Sequence, residues 1–177
     1  MMTIITETDR LIIREFNLGD AKAVLEFNSE EVTRYTGDAG LCNTLKDAEN
    51  IIQEIWLAEY KKFGFARWAV VHKATNQVIG FCGFKNDSRI NAIDIGYRLH
   101  QDFWGKGYAT EANQACIEFA KQHMDLDIVY GEVVDVNLGS VNIIKKLGMT
   151  FIRQYEEEGF TLLRYAISLK GNPLPAN

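Results

Sequence analysis

The sequence predicts one α+β domain, residues 1–177, built around a mostly antiparallel β-sheet. A length of 177 residues suits a single domain with one hydrophobic core. Extended runs rich in β-branched and apolar residues fill the middle and the end of the chain, and apolar residues recur at helical spacing between them. With 47% hydrophobic and 24% charged residues, the composition is that of an ordinary globular protein.

The first third of the chain predicts one strand and two helices. Residues 8–16 (T-D-R-L-I-I-R-E-F) form the expected first strand. Asn17, with an acidic residue three positions later, predicts the start of a short helix. Residues 29–43 lack periodicity and are expected to form a loop containing about one helical turn. Thr44 then begins a capping-box-like pattern ahead of the second helix.

The remainder predicts six further strands and two further helices, which gives about seven strands and about four helices in all. Three extended runs (W-A-V-V-H, V-I-G-F-C-G-F and A-I-D-I-G-Y-R-L) are expected to pair through hairpins. A turn containing Gly105 and Gly107 leads into a helix. The strand I-V-Y-G-E-V-V, a short helix ending at Gly148, and a hairpin of residues 149–155 and 160–169 complete the chain.

Charge and cysteine content exclude several classes of function. A formal net charge of −5 offers no basic surface for a phosphate backbone, so nucleic acid is not an expected partner. Cys42, Cys82 and Cys116 are widely spaced without a C-x-x-C pair, which argues against a disulfide framework or a metal site. The chain start lacks the pattern of a secretory signal, and no apolar run approaches the ~20 residues that span a bilayer. We therefore expect a cytoplasmic protein that binds no metal and no membrane.

The glycine turn is the first candidate functional site. Gly105 and Gly107 allow the backbone to bend closely around a ligand, and the following helix presents unpaired N–H groups at its positive end. This arrangement suits an anion such as a pyrophosphate, and Lys106 adds a positive charge. The spacing fits neither a Walker motif nor a G-x-G-x-x-G fingerprint. Taken alone, G-K-G is equally consistent with an ordinary turn.

A longer pattern resembles a known family. The block F-W-G-K-G-Y-A-T-E-A follows I-D-I-G-Y-R-L and precedes V-V-D-V-N-L-G-S-V-N-I-I-K-K-L-G-M-T-F. In this order the three blocks resemble the GCN5-related N-acetyltransferases (GNAT), specifically the RimJ/RimL-like branch of ribosomal-protein N-terminal acetyltransferases. T-D-R-L-I-I-R-E-F and I-G-F-C-G-F match that branch too, so the resemblance covers nearly the whole chain. It implies a three-layer fold whose sheet splays between strands 4 and 5.

The resemblance also implies acetyl-coenzyme A (acetyl-CoA) as the co-substrate. The family's pyrophosphate motif falls on Trp104, Gly107 and Ala109, where Trp104 replaces the usual Gln or Arg. Backbone amides of this turn are expected to bind the pyrophosphate, and the strand before it to pair with the pantetheine arm. The implied cofactor-binding residues are Tyr97, Arg98, Leu99, Trp104, Gly105, Lys106, Gly107, Tyr108, Ala109, Asn137 and Lys145.

Two side chains are candidates for proton transfer. Acetylation of an amine requires removal of a proton from the attacking nitrogen and protonation of the leaving thiolate. Asp94 lies where relatives often carry a proton-accepting glutamate; alternatively, it is a solvated strand carboxylate. Ser140 matches the serine of the family's N-x-x-S motif, which can protonate the thiolate; alternatively, it caps a helix. The backbone N–H near Leu99 is the implied oxyanion donor.

The acceptor is expected to be an amine that enters between residues 29–43 and the 156–159 turn and reacts directly in a ternary complex. Deprotonating a lysine amine at pH 7.4 costs about 4 kcal/mol, whereas an α-amine costs under about 1 kcal/mol. A protein or peptide α-amine is therefore favoured over an amino acid, a polyamine or an aminoglycoside. A non-catalytic acyl-CoA-binding module and a nucleotide-binding protein of another fold are the alternatives. The protein is expected to be a monomer or a homodimer.

Overall fold

The computed structural model describes residues 2–176 and has nine strands and six α-helices in that range. The strands are β1 (Ile4–Glu7), β2 (Leu11–Arg14), β3 (Arg67–His72), β4 (Gln77–Asp87), β5 (Ala92–Ile95), β6 (Arg98–Leu99), β7 (Ile128–Val134), β8 (Thr150–Glu157) and β9 (Phe160–Ser168). The α-helices are α1 (Ala21–Glu26), α2 (Glu30–Thr33), α3 (Leu45–Asn50), α4 (Leu57–Phe63), α5 (Tyr108–His123) and α6 (Leu138–Lys146), with a π-helical segment (Ile51–Trp56) joining α3 to α4.

All strands belong to one sheet in the order β1-β2-β3-β4-β5-β7-β9-β8, with β6 paired to β4. Every pairing is antiparallel except β5 with β7, so the predicted mixed, mostly antiparallel sheet is confirmed. The prediction of about seven strands was too low. Residues 8–16 contain a turn followed by β2, which pairs with the unpredicted β1. The predicted fourth strand is interrupted at Gly96 and Tyr97 into β5 and β6.

Helices cover both faces of the sheet, which gives three layers. On one face, α5 and α6 bury a core that includes Trp68, Ile117 and Val129. On the other face, α1, α3 and the π-helical segment bury a second core around Phe27 and Ile52. Because side chains alternate along a strand, neighbouring residues of β3 and β4 supply the two cores in turn.

The predicted helix starts are confirmed. Asn17 accepts a hydrogen bond from the Gly19 amide, and Asp20 accepts one from the Asn17 amide, which completes a capping box. The carboxylate of Asp20 also forms a buried ion pair with Arg14, at 2.8 Å, and so fixes this turn against β2. Thr44 forms a second capping box at the start of α3. The single helical turn expected within residues 29–43 is α2.

The sheet opens between β5–β6 and β7. The β5–β7 ladder consists of two pairs, Ile93 with Val129 and Asp94 with Tyr130. Past this point the chain keeps only its pairing with β4, in which the Gly96 amide donates to Gly83 O at 3.0 Å and the His100 amide to Ile79 O at 2.8 Å.

Amide directions alternate along a strand, so of the three amides between these bonds that of Arg98 also faces β4, and those of Tyr97 and Leu99 face the opening. The expected splay between the fourth and fifth predicted strands is therefore present, with backbone groups lining one wall.

The close contact of β4 with β6 depends on Gly80. A Cβ atom at this position would lie 1.9 Å from the Arg98 carbonyl oxygen and 2.8 Å from Leu99 Cα, both backbone atoms. We predict that Gly80→Ala lowers the free energy of unfolding by about 1–3 kcal/mol, because β6 must move away from β4. Urea denaturation measures the loss. Gly37→Ala is the control, since a Cβ there would meet no atom within 4 Å; equal stability of both variants and wild type would contradict the prediction.

Candidate active site

The turn before α5 has the geometry of an anion site. Gly105 and Gly107 have φ values of 69° and 82°, which place both in the left-handed region that favours glycine. Gly107 is the N-cap of the 16-residue helix α5 and provides no side-chain cap. The first-turn N–H groups of α5 therefore have no side-chain cap and lie at the positive end of the helix dipole. The pyrophosphate site at this turn stays a prediction.

Arg10 and Glu111 stabilise this turn. The Arg10 guanidinium donates to the Lys106 carbonyl oxygen at 3.0 Å and to Glu111 Oε2 at 2.7 Å, and it stacks on the Tyr108 ring at 4.2 Å. Thr8 Oγ1 donates to Glu111 Oε1 at 2.5 Å. Burial disfavours the Glu111 carboxylate, but these hydrogen bonds and Arg10 outweigh it and lower the pKa of Glu111 below its usual value. The sequence did not indicate that Arg10 contacts this turn.

Several side chains predicted to bind the cofactor instead hold the turn in place. Trp104 Nε1 donates to the Leu99 carbonyl oxygen at 2.9 Å and ties the turn to the end of β6. The Tyr108 hydroxyl is 2.9 Å from His72 Nε2, and its ring is buried. Lys106 Nζ donates to the Asp102 carbonyl oxygen at 2.7 Å. The backbone amides left to meet a ligand are those of Gly105, Lys106, Gly107, Tyr108 and Ala109, since the Trp104 amide donates to the Gln101 carbonyl oxygen at 3.1 Å.

Arg98 points away from the opening and toward the predicted acceptor loop. Its guanidinium donates to Asn28 Oδ1 and forms an ion pair with Asp38 at 2.6 Å, while stacking near the Phe81 ring. Desolvation opposes ionisation of Asp38, but Arg98 outweighs it and lowers the pKa of that carboxyl. The predicted cofactor role of Arg98 thus does not extend to its side chain, because alternation along β6 directs it to the other face of the sheet.

The first turn of α6 brings two hydroxyl groups together. Asn137 is the N-cap of α6 and accepts a hydrogen bond from the Ser140 amide at 3.3 Å, so the alternative that Ser140 itself caps this helix is wrong. Ser140 Oγ lies 2.7 Å from the Tyr97 hydroxyl. Tyr97 directly precedes β6, at one wall of the opening, and Ser140 lies in α6, which follows β7 at the other wall. The two hydroxyl groups therefore connect the two walls. Lys145 is exposed in the last turn of the same helix.

Asp94 is held by an arginine that sequence reasoning did not identify. Arg67 Nη2 lies 2.5 Å from Asp94 Oδ2, and Arg67 Nη1 donates to the Gly83 carbonyl oxygen at 2.6 Å. Gly96 makes room for this guanidinium, because a Cβ there would lie 2.8 Å from Arg67 Nη2. The Asp94 side chain is 15% exposed, so its interpretation as a solvated strand carboxylate is wrong. Burial raises the pKa of Asp94, although Arg67 opposes the increase.

A polar face extends from Asp94 across β7 and β9, on the side of the sheet opposite α5 and α6. Asp94 is opposite Tyr130 in the ladder, and Glu132 is opposite Arg164. Glu132 also pairs with Arg89 and accepts a hydrogen bond from Tyr155; these side chains form the charged part of the face.

The two segments expected to flank the acceptor meet beside this polar face. The ring of Tyr35, from the loop that follows α2, is 6.4 Å from the ring of Phe160 at the start of β9. This contact is between the 29–43 segment and the residue that follows the 156–159 turn.

The family follows from comparison with known proteins. The family model described as "Acetyltransferase (GNAT) domain" matches residues 10–150, which is most of the chain. The chain belongs to the GNAT acetyltransferase family. This acetyltransferase is 31% identical to the uncharacterized N-acetyltransferase p20 of Bacillus licheniformis, over 85% of this chain and 86% of that protein. It is 29% identical to the uncharacterized N-acetyltransferase YoaA of Bacillus subtilis, over 98% and 93% of the two chains.

Solved structures share the fold of this acetyltransferase. A GNAT-family acetyltransferase from Bacillus anthracis superposes with a TM-score of 0.78 at 24% identity, covering 96% of this chain and 99% of that chain. RimL, a ribosomal L7/L12 α-N-protein acetyltransferase solved with coenzyme A, superposes with a TM-score of 0.83 at 16% identity over 96% and 99%. Within residues 2–176, no helix combines the length and apolar character needed to cross a bilayer. The same residues contain no cluster of three or more His, Cys, Asp or Glu side chains suited to a metal ion.

The lowered pKa of Glu111 gives a pH-dependent prediction. A carboxylate whose pKa is lower in the folded state stabilises the fold above its unfolded pKa, and that stability is lost as the pH falls through the folded value. We predict that Glu111→Gln costs about 1–2 kcal/mol at pH 7 and that the difference from wild type narrows below about pH 4. Thermal or urea unfolding between pH 3 and 7 measures this difference in stability between the variant and wild type. Glu118→Gln, an exposed glutamate on the same helix, is the control; a constant difference across this range would contradict the prediction.

Proposed function

We propose that this acetyltransferase transfers an acetyl group directly from acetyl-CoA to an α-amine, in a ternary complex with a protein or peptide acceptor. The observation that carries the proposal is the opening beside β6. Outward-facing amides line one wall of it, and the Asp94–Arg67 pair and the Ser140–Tyr97 pair flank it on opposite faces of the sheet. A thioester bound in this opening would therefore lie close to both a proton acceptor and a proton donor.

The chain's backbone fits the expected co-substrate. The amides of Tyr97 and Leu99 are positioned to pair with an extended amide-containing arm, as an added strand would. The uncapped first turn of α5, with its two left-handed glycines, suits a pyrophosphate. Acetyl-CoA supplies the activated acetyl group, and Asn137 lies beside the opening at the start of α6. RimL, the structural neighbour described above, was solved with coenzyme A.

Asp94 is the proposed base of the reaction. Nitrogen becomes more acidic as it attacks a carbonyl carbon, so a nearby carboxylate can accept its proton, directly or through water. Burial raises the pKa of Asp94 and makes its carboxylate a better proton acceptor, while Arg67 fixes its orientation. Arg67 touches no reacting atom in this proposal and acts as a positioning residue.

Ser140 is the proposed acid for the departing thiolate. Its hydroxyl lies in the first turn of α6, and the Asn137 cap and the Tyr97 hydroxyl fix its surroundings. A thiol with a pKa near ~8.5 leaves as a good but basic thiolate at neutral pH, so protonating it prevents the reverse attack.

The charges of the polar face favour an α-amine acceptor over a polycation. Asp94 and Glu132 of this face, and Asp38 of the 29–43 segment, are each paired with at least one arginine, so these three carboxylates are not free to bind a polyamine or an aminoglycoside. The Tyr35–Phe160 contact adds an aromatic surface suited to the first side chains of a peptide. One structural neighbour is the ribosomal-protein-S5-alanine acetyltransferase of Vibrio fischeri, and RimL acts on a protein α-amine; both analogies support this class.

The proposed function is tested by thiol release from acetyl-CoA, followed with a disulfide reagent, across N-terminal peptides, free amino acids, polyamines and aminoglycosides. We expect acceptor-dependent release that is fastest with peptides bearing a free α-amine, and none when that amine is blocked. Release with polyamines or aminoglycosides alone would overturn the acceptor class. Tight acetyl-CoA binding without release from any amine would favour an acyl-CoA-binding module.

The role of Asp94 gives a second prediction. Asp94→Asn preserves the shape of the side chain and one hydrogen bond to Arg67 but removes the basic oxygen. We predict that kcat falls about 10²-fold with KM for acetyl-CoA unchanged, and that the decline of wild-type kcat at low pH, where Asp94 protonates, disappears in the variant. Asp87→Asn is the control, a buried aspartate on β4 that also pairs with an arginine. A wild-type kcat in Asp94→Asn would remove Asp94 from the mechanism.

A further inference from the structure

Ser140 is a weak acid for the task assigned to it. An aliphatic hydroxyl is far less acidic than a thiol, so a serine that protonates a thiolate becomes an alkoxide unless it receives a proton at the same time. A tyrosine hydroxyl, with a usual pKa near ~10, is only about 30-fold less acidic than a thiol near ~8.5. The hydroxyl 2.7 Å from Ser140 Oγ belongs to such a tyrosine, Tyr97.

We propose that Tyr97 is a positioning residue that orients the Ser140 hydroxyl and replaces the proton that Ser140 gives to the leaving thiolate. This inference rests on the proposed function, since it requires a leaving thiolate. The Ser140 O–H bond breaks as the S–H bond forms, and the Tyr97 O–H proton moves to Ser140 Oγ. Tyr97 is left as a phenolate and recovers its proton from solvent, to which the attacking amine's proton is released through Asp94.

The fold places Tyr97 suitably for this role. Its amide faces the opening, where the thioester arm is proposed to bind, and its ring extends to the α5–α6 side of the sheet, where it packs against the core. The next side chain, Arg98, extends to the opposite face. Tyr97, which lies between β5 and β6, thus has both its backbone amide and its hydroxyl beside the proposed path of the thioester.

The ionisation state of Tyr97 fits a donor. Burial raises the pKa of its phenol, although the hydrogen bond with Ser140 opposes the increase, so Tyr97 is a weaker acid than a free tyrosine but still a stronger one than an aliphatic hydroxyl. The phenol therefore stays protonated across the neutral pH range in which the enzyme is proposed to work. Ser140 is only partly buried.

A double-mutant cycle tests whether Tyr97 acts through Ser140. The variants are Tyr97→Phe, Ser140→Ala and the two combined, and Tyr165→Phe is the control, since Tyr165 is a buried tyrosine on β9. We expect Tyr97→Phe to lower kcat by about 10- to 100-fold with KM for acetyl-CoA within about twofold of wild type. The combined variant should be no slower than Ser140→Ala alone. Losses that multiply, or a wild-type kcat in Tyr97→Phe, would overturn the proposal.

A second variant separates proton transfer from packing. Replacing Tyr97 with 3,5-difluorotyrosine nearly preserves the shape of the side chain, and therefore the fold. The same replacement lowers the pKa of the phenol. We expect the kcat of this variant to fall as the pH rises through the lowered phenol pKa, whereas the kcat of wild type falls only at a higher pH because its phenol pKa is raised. A purely structural role for Tyr97 predicts the same profile for both proteins, and that result would overturn the inference even if Tyr97→Phe is slow or unstable.

Failure of the inference and failure of the proposed function give different results. If wild type releases thiol in an acceptor-dependent manner but neither Tyr97 variant behaves as expected, the inference fails and the acetyl transfer stands. If wild type binds acetyl-CoA without acceptor-dependent release, the proposed function fails, and the inference fails with it.

Discussion

The early end of the β5–β7 ladder is the constraint on which the rest of the site depends. Two parallel strands that stop pairing after two residues leave backbone donors and acceptors that must find other partners. On the β6 side, every second amide bonds to β4, and the amides between them remain at the wall of the opening. The fold therefore creates a row of polar groups within an otherwise buried sheet. Each proposed catalytic group lies beside that row.

Arginines compensate the negative charge of the carboxylates in this region. Arg67 holds Asp94, Arg98 holds Asp38, and two arginines hold Glu132. Breaking a buried pair such as Arg67 with Asp94 is costly because it leaves the remaining charge without a partner, so this contact fixes geometry more than it adds stability. Gly96 is part of the same arrangement, because its missing side chain leaves the space that the Arg67 guanidinium fills.

The sequence predicted the features that depend on local spacing. Both capping boxes, the helix after Gly107 and the hairpin at the end of the chain follow from residues within a few positions of one another. It missed contacts between distant positions: Arg67 with Asp94 is separated by 27 residues and Arg10 with Glu111 by 101. Periodicity reports which face a residue occupies but not which side chain it meets across the sheet. The interruption at Gly96 was missed because the run around it reads as one strand.

The position of Arg98 has a consequence for how the two substrates affect each other. Its backbone belongs to the strand beside the opening, while its guanidinium contacts Asn28 and Asp38, and Asp38 lies in the proposed acceptor loop. Any shift of β6 when the acyl donor binds is therefore transmitted to that loop by a single side chain. Thermodynamic linkage is reciprocal, so the acceptor alters the affinity for the donor by the same factor. In the proposed function, the affinities for the two substrates are thus coupled through one buried arginine side chain.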